Sequence, residues 1–207
     1  LTVNAGTVTV TDSDAEGDGT DTLTNVEALQ FQDRYVRLGT ETWVNRNPWS
    51  DQVIAVQVTG SILADTIDVS DDGYEGLRHV LNGMEGDDTL TGGAGADEFI
   101  GGAGDDVLIG GANGVDAQGN PGFDVARYDG KSSRYTIEYS DDGGDSWSET
   151  NPGGDNLLVR ITDSLADDEG GLGVDILSGI EQIAFFDRAL ALQATQRLID
   201  VNGDGIA

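Results

Sequence analysis

The chain has 207 residues, of which 39 are acidic and only 10 basic, and its formal net charge is −29. That balance excludes nucleic acid as a partner, since such binding rests on Lys and Arg neutralising phosphates, and it opposes direct docking on anionic membranes. Cysteine is absent, which excludes disulfide scaffolds, thiolate metal sites and cysteine nucleophiles, and no apolar run approaches a transmembrane span.

In chain order, residues 1–40 open with LTVNAGTVTVTD, an alternation that reads as strand. No leader-peptide pattern is present, and the start is expected to lie inside a longer protein. Residues 41–59 are expected to connect this element to the next. They carry Trp43 and Trp49, and Trp147 comes later. Exposed Trp can form platforms for sugar rings or partner proteins. The preferred reading has these three plugging the ends of the element that follows.

Between Gly83 and Ile109 the sequence repeats every nine residues, as GMEGDDTLT, GGAGADEFI and GGAGDDVLI. The pattern is G-G-x-G-x-D-x-U-x with U a large apolar residue, the calcium-binding nonapeptide. The last three residues suit a short strand in which only U faces inward, so Leu90, Phe99 and Leu108 should stack as an apolar column. The first six suit a Gly-rich turn with unobstructed carbonyls. Two strands and two turns make a coil of eighteen residues, which places turns eighteen residues apart above one another. Carboxylates and carbonyls of stacked turns then form the all-oxygen shell that Ca²⁺ prefers.

This arithmetic puts Asp88, Asp106 and Asp124 on one edge and Asp97 on the other. The copy starting at Gly110 has Val115 where Asp belongs and Asp116 one place later, so its site should be distorted or empty. Upstream, Gly60–Ile67 keeps Asp65, which lies 23 residues before Asp88, and residues 69–78 are expected to be an enlarged turn with Val80 and Leu81 in the return strand. The candidate ligands are therefore Asp65; Gly83, Glu85, Gly86 and Asp88; Gly92, Gly93, Gly95 and Asp97; Gly101, Gly102, Gly104 and Asp106; Gly110, Gly111 and Asp116; and Gly119, Gly122 and Asp124. Asp71 and Asp72 are further candidates on the second edge. Each of these acids has an alternative reading as a plain turn residue. His79, the only histidine, stands where an Asp would fall and reads as a replaced turn residue.

Residues 129–192 are expected to form a second β-rich element, with Tyr128–Ser140 pairing with Asn156–Asp163. Its segment Val159–Arg188 matches Val8–Arg34: Thr162-Asp163-Ser164 with Thr11-Asp12-Ser13, Asp175 and Leu177 with Asp21 and Leu23, and Phe185 with Phe31. Solenoids need ends that cover their open core, so both copies read as caps. Asp12, Asp14, Asp18, Asp163, Asp167 and Asp168 in their acidic turns are either extra calcium ligands or solvated turn residues. The tail, residues 193–207, ends in Asp200-Val-Asn202-Gly-Asp204-Gly205, the first half of an EF-hand-like loop.

The nonapeptides make residues 60–128 similar to the parallel β-roll of the RTX (haemolysin-type calcium-binding) family. The resemblance implies an all-β fold, a parallel β-roll flanked by β-rich capping elements, loaded with about four or five Ca²⁺ ions. It also implies type I secretion and an extracellular location. No catalytic set has supporting context, and the expected function is a non-enzymatic, calcium-dependent folding module of a secreted exoprotein or adhesin. One alternative is an accessory domain of a secreted protease, lipase, peroxidase or epimerase. The other is a module that binds glycans or proteins through its Trp-bearing loops. The expected partners are calcium, neighbouring domains of a larger chain, and glycans or cell-surface ligands.

Overall fold

The computed structural model describes residues 2–4, 7–11, 20–24, 26, 28–30, 35–74, 76–113, 122–154, 156–165 and 171–192. They are all-β apart from a 3-10 turn at Ser132–Arg134, and the chain divides into a unit of residues 1–39 and a unit of residues 40–207.

In the first unit, β1 (Thr2–Asn4), β2 (Thr7–Thr11) and β3 (Thr20–Thr24) form an antiparallel sheet in that order. A separate ribbon joins β4 (Ala28–Gln30) to β5 (Tyr35–Arg37). The threonines and valines of TVTVT and TDTLT favour these pleated segments.

Among its described residues the second unit has the strands β6 (Glu41–Arg46), β7 (Val53–Thr59), β8 (Thr66–Asp68), β9 (Arg78–Glu85), β10 (Thr89–Thr91), β11 (Ala94–Gly95), β12 (Glu98–Ala103), β13 (Val107–Ile109), β14 (Ala112–Asn113), β15 (Val125–Arg127), β16 (Tyr135–Ser140), β17 (Leu158–Asp163), β18 (Val174–Ser178), β19 (Gln182–Ala184) and β20 (Ala189–Ala191). One sheet has the order β20-β19-β15-β12-β9-β7-β6, and the other has β16-β17-β18-β13-β10-β8. From β7 to β13 the chain visits the two sheets alternately, and within each sheet the neighbouring strands among these run parallel. A small parallel pair, β11 with β14, lies within the turns.

Each short strand sends one side chain inward. The inward residues form two columns, one in each sheet, not the single column expected. Ile67, Leu90, Leu108 and Leu177 are in register along one sheet; Val58, Leu81, Phe99, Ala126 and Ile183 are in register along the other. All nine are buried. Burying each large apolar side chain contributes roughly 1.5–3 kcal/mol. With one such residue in each nine, the apolar core is thin for the length of backbone it must order.

Residues 41–59 are not a connector. They form the antiparallel hairpin β6–β7, and β7 pairs in parallel with β9, placing Val56 and Val58 in the core. The cleanly alternating VIAVQVT is the reason: it is a strand with one buried face. At the far end, β16 pairs with β17 and β17 with β18, all antiparallel, with Tyr135 opposite Asp163 and Ser140 opposite Leu158. Tyr128, Tyr135 and Phe185 pack beneath, with ring centroids 5.3 Å apart for Tyr128 and Tyr135 and 5.2 Å for Tyr135 and Phe185.

The tryptophans do not plug the ends. Trp49 is 93% exposed and Trp43 59% exposed. Trp147 is half-buried, with the Arg160 guanidinium 4.4 Å above its ring. Paired backbone covers the ends, with Val56 and Val58 at one and Tyr135 and Phe185 at the other, so no tryptophan is required there.

Candidate metal centre

The Asp of each nonapeptide turns its carboxylate back into the stack. Asp65 N–H donates to Asp88 Oδ1 at 2.7 Å, Asp88 N–H to Asp106 Oδ1 at 2.9 Å, and Asp106 N–H to Asp175 Oδ1 at 3.0 Å. On the opposite edge His79 N–H donates to Asp97 Oδ1 at 2.8 Å, Asp97 N–H to Asp124 Oδ1 at 2.8 Å, and Asp124 N–H to Glu181 Oε2 at 2.9 Å. Two ladders result, and in every link the earlier residue donates to the later one.

These ladders correct the edge assignment. Asp124 follows Asp97, 27 residues away, and does not lie beyond Asp106. The cause is the defective copy at Gly110. It has Val115 at the acidic position and Ala117 at the apolar one, so it offers neither carboxylate nor core side chain. Its first residues stay in register with the preceding turn, Ala112 opposite Ala94, and the next acid on that edge is Asp124. The phase shifts by nine residues and changes edge. Asp116 and Gly119 lie outside the described residues, as do Asp12, Asp14, Asp18, Asp167, Asp168 and the tail at 200–205.

The acids that continue both ladders, Asp175 and Glu181, were not among the candidates. Gly170–Ser178 reads GGLGVDILS, a complete nonapeptide with Asp175 and Leu177 in the acidic and apolar places. The signal was present in the sequence but lay inside a segment assigned wholly to the cap. Asp87 and Asp105 were also missed. Asp105 N–H donates to Asp87 Oδ1 at 2.9 Å, and Val174 N–H donates to Asp105 Oδ1 at 2.8 Å, a third ladder on the exposed side of the turns.

The second carboxylate oxygen of each acid distinguishes the turns. Oδ2 of Asp88, Asp106 and Asp124 is buried and has no hydrogen-bond partner. Such an atom costs about 1–3 kcal/mol or more when charged, unless something neutralises it. By contrast, Asp65 Oδ2 accepts from Ser61 N–H at 2.6 Å and Ser61 Oγ–H at 2.8 Å, and Asp97 Oδ2 from Gly93 N–H at 2.9 Å.

The glycines explain what surrounds these oxygens. A Cβ on Gly83 would lie 2.0 Å from Asp88 Oδ2 and 2.5 Å from the Gly101 carbonyl oxygen. A Cβ on Gly110 would lie 2.0 Å from the Gly179 carbonyl and 2.6 Å from Asp124 Oδ2, and one on Gly101 would lie 2.2 Å from Asp106 Oδ2. At Gly92 the neighbours are the Gly110 carbonyl at 2.3 Å and Asp97 Oδ2 at 2.8 Å. Carboxylate and carbonyl oxygens therefore crowd the same small volume at turn after turn. Gly86, Gly95, Gly102, Gly104, Gly111 and Gly122 likewise each face a carbonyl of the preceding coil. Glu85 is exposed on the turn surface. Among the described residues, no three acidic, His or Cys side chains converge on one point, so a cation here would draw most of its ligands from the backbone. Hard oxygens, one carboxylate per turn and stacked carbonyls fit Ca²⁺.

His79 heads the second ladder, fully buried, with Nδ1 3.1 Å from Asp97 Oδ1 and Nε2 3.1 Å from Asp72 Oδ2. Burial opposes its charge, but Asp97 and Asp72 outweigh that and raise its pKa. Asp72 is thus occupied by His79 and by Tyr74 N–H, while Asp71 is exposed. Asp163, a candidate in the C-terminal acidic turn, is instead paired with Arg134, whose Nε donates to its Oδ1 at 2.6 Å.

Burial pushes the Asp88 carboxyl up to about 7, Asp106 to about 6 and Asp124 to about 8, with neighbouring acids adding to the shift. An unfolded Asp has a pKa of about 3.9. The calcium-free folded chain therefore binds more protons than the unfolded one. This contribution to stability is complete below about pH 4 and is lost as the pH rises through about 6 to 8. In chelator, lowering the pH from 8 to 5 should raise the thermal midpoint of the β signal. In calcium the sign should reverse, because ions need ionised ligands. Circular dichroism melts at both pH values check this, and a chelated chain that loses stability on acidification contradicts the burial of these acids.

The family model for the RTX calcium-binding nonapeptide repeat (4 copies) matches residues 81–113. No curated protein and no solved structure matches the chain. The matched segment runs from Leu81 through Asp88, Asp97 and Asp106 to Asn113, the stretch in which the ladders and the crowded oxygens are most regular. Residues 81–113 thus carry an array of RTX calcium-binding nonapeptide repeats.

Proposed function

We propose that this chain is a non-catalytic module that winds into a calcium-loaded parallel β-roll outside the cell and serves as stalk or folding nucleus of a larger secreted protein. The observation that carries the reading is the set of buried, unpartnered Oδ2 atoms of Asp88, Asp106 and Asp124, each in a turn of crowded oxygens. One ion between adjacent acids would answer them: between Asp65 and Asp88, Asp88 and Asp106, Asp106 and Asp175, Asp97 and Asp124, and Asp124 and Glu181. Each Ca²⁺ offsets two of the 29 net negative charges, so ion binding and folding are coupled. Millimolar calcium is an extracellular condition, which ties folding to the outside of the cell. The ladder acids support a structural role because each after Asp65 accepts a backbone N–H from the neighbouring coil.

The test is a calcium titration of the chain followed by circular dichroism. In chelator the β signal should be weak. Calcium should restore it cooperatively, and magnesium should not, because Mg²⁺ demands a smaller octahedral shell and sheds water reluctantly. A full β signal in chelator, unchanged by calcium, would sink the proposal. A second reading, glycan or protein binding, rests on the exposure of Trp43 and Trp49. Retention on a glycan array in calcium that disappears in the Trp43→Ala, Trp49→Ala variant would support it.

A further inference from the structure

The first unit repeats the C-terminal cap in strand register as well as in sequence. Val8 pairs with Leu23 and Val10 with Asp21, as Val159 pairs with Leu177 and Ile161 with Asp175. Val3 pairs with Val8 as Tyr139 pairs with Val159, and Leu29 with Val36 as Ile183 with Leu190. Residues 16–24 read EGDGTDTLT, a nonapeptide lacking only its first glycine, with Asp21 and Leu23 in the acidic and apolar places.

The two copies differ in what covers them. In the C-terminal copy, the outer edge of β18 pairs with β13 and that of β19 with β15, so a preceding coil is seated on both. Leu177 and Ile183 are fully buried, and Asp175 receives the N–H of Asp106. In the N-terminal copy, β3 is the last strand of its sheet and β4 pairs with β5 alone among the described residues. Their equivalents of the buried residues are uncovered: Leu23 and Leu29 are half-buried and Asp21 is exposed.

We propose that residues 1–39 are the end cap of a nonapeptide coil that precedes them, whose strands pair with the outer edges of β3 and β4 and whose acidic turn donates a backbone N–H to Asp21. The occupant follows from polarity. In all six links of the two ladders the donor is earlier in the chain than the acceptor. Asp21 as acceptor therefore calls for a turn earlier than its own, and β1 and β2 lie on the opposite side of β3 in their own sheet. A roll that follows this unit would present the wrong edge. The inference rests on the calcium-loaded roll proposed above, and it adds a second roll ahead of residues 1–39.

The test is a fusion in which residues 60–136 are placed directly ahead of Leu1 of the full chain, so that Leu1 takes the place of Ile137 in the register. Amide hydrogen exchange is followed in millimolar calcium. The amides of residues 21–24 and 28–29 should exchange about 100-fold or more slowly in the fusion than in the unextended chain. Asp21→Ala and Leu23→Asp should each abolish that protection and loosen the added coils, leaving the native coils at 60–113 unchanged. Those native coils are the internal control: if they are unprotected, the calcium-loaded roll itself fails. If they are protected while residues 21–29 gain nothing, or the added coils remain open, the cap is refuted. Protection already complete in the dilute unextended chain, or appearing there only as concentration rises, would assign the edge to this chain itself or to a second copy and would equally overturn the proposal.

Discussion

Asp88→Asn should change sign with calcium, stabilising the chelated chain and weakening the loaded one. The substitution keeps the shape of the side chain and the acceptor for Asp65 N–H, which now sits 2.7 Å from Oδ1. It replaces the unpartnered Oδ2 by an amide NH₂ at the edge of the space that a Gly83 Cβ would fill, which the Gly101 carbonyl also borders. Without calcium, the wild-type carboxylate is buried and pushed up to about 7, so above neutrality it is a cost that Asn removes. With calcium, at the ion positions proposed above, the same oxygen would be a charged ligand between neighbouring acids of the ladder. Losing one partner of a buried charge pair costs about 3–5 kcal/mol. The calcium midpoint for folding should therefore rise by about tenfold or more, since every 1.4 kcal/mol is a factor of ten at a single site. Asp65→Asn is the comparison. Asp65 stands at the end of the ladder and Ser61 already engages its Oδ2, so its midpoint should move much less. Calcium titrations of the three chains by circular dichroism, with the residual β signal in chelator at pH 8, give both readings. Equal midpoints for the two variants, or an Asp88→Asn chain weaker than wild type in chelator, would show that Asp88 is a plain turn residue.

How much of this was legible in the sequence depended on whether the period stayed intact. From Gly83 to Ile109 it does, and Leu90 opposite Leu108 and the link between Asp88 and Asp106 follow from counting. The enlarged turn before Arg78 was also readable, because Asp65 kept its place relative to Asp88 across 23 residues. Beyond Gly110 counting fails. A nonapeptide without its Asp and its large apolar residue cannot hold a strand position, so the following copy takes that position and Asp124 changes edge. The complete copy at Gly170–Ser178 was hidden for a related reason. The hairpin β16–β17 stands between it and the coil it joins, so Asp106 and Asp175 are 69 residues apart although adjacent in the ladder. A solenoid whose coils carry insertions preserves stacking contacts but not sequence spacing. The tryptophans failed on different grounds. Large aromatic residues suggest core, but here the ends are closed by paired backbone, and Val56, Val58, Tyr135 and Phe185 supply the apolar cover.

Gly110→Ala should separate the last coil from its cap. Gly110 begins the defective copy, so the need for glycine there cannot be argued from a working calcium turn; its surroundings give the reason. An added Cβ would meet the Gly179 carbonyl oxygen at 2.0 Å and its carbon at 2.8 Å. Both are backbone atoms in a turn that is itself tied back, since Gly110 N–H donates to Ser178 O at 2.9 Å, so neither side can yield by rotating a side chain. The third neighbour, Asp124 Oδ2 at 2.6 Å, is one of the unpartnered oxygens, so the methyl would also occupy space that a cation needs. Overpacking of this kind costs about 1–3 kcal/mol, occasionally more, when backbone must move. The loss should be local at first. Ile176 N–H, donated to Asp106 O, and Glu181 N–H, donated to Asp124 O, cross the joint and should lose exchange protection, while Thr89 and Gly92, donated within the earlier coils, should keep theirs. Gly39→Ala is the control, because a Cβ there meets nothing within 4 Å. Hydrogen exchange in calcium reads both. If the amides of Ile176 and Glu181 remain as protected in Gly110→Ala as in Gly39→Ala, the close approach of Gly110 to Gly179 is not how the cap is held, and the continuation of the ladders into Asp175 and Glu181 loses its main support.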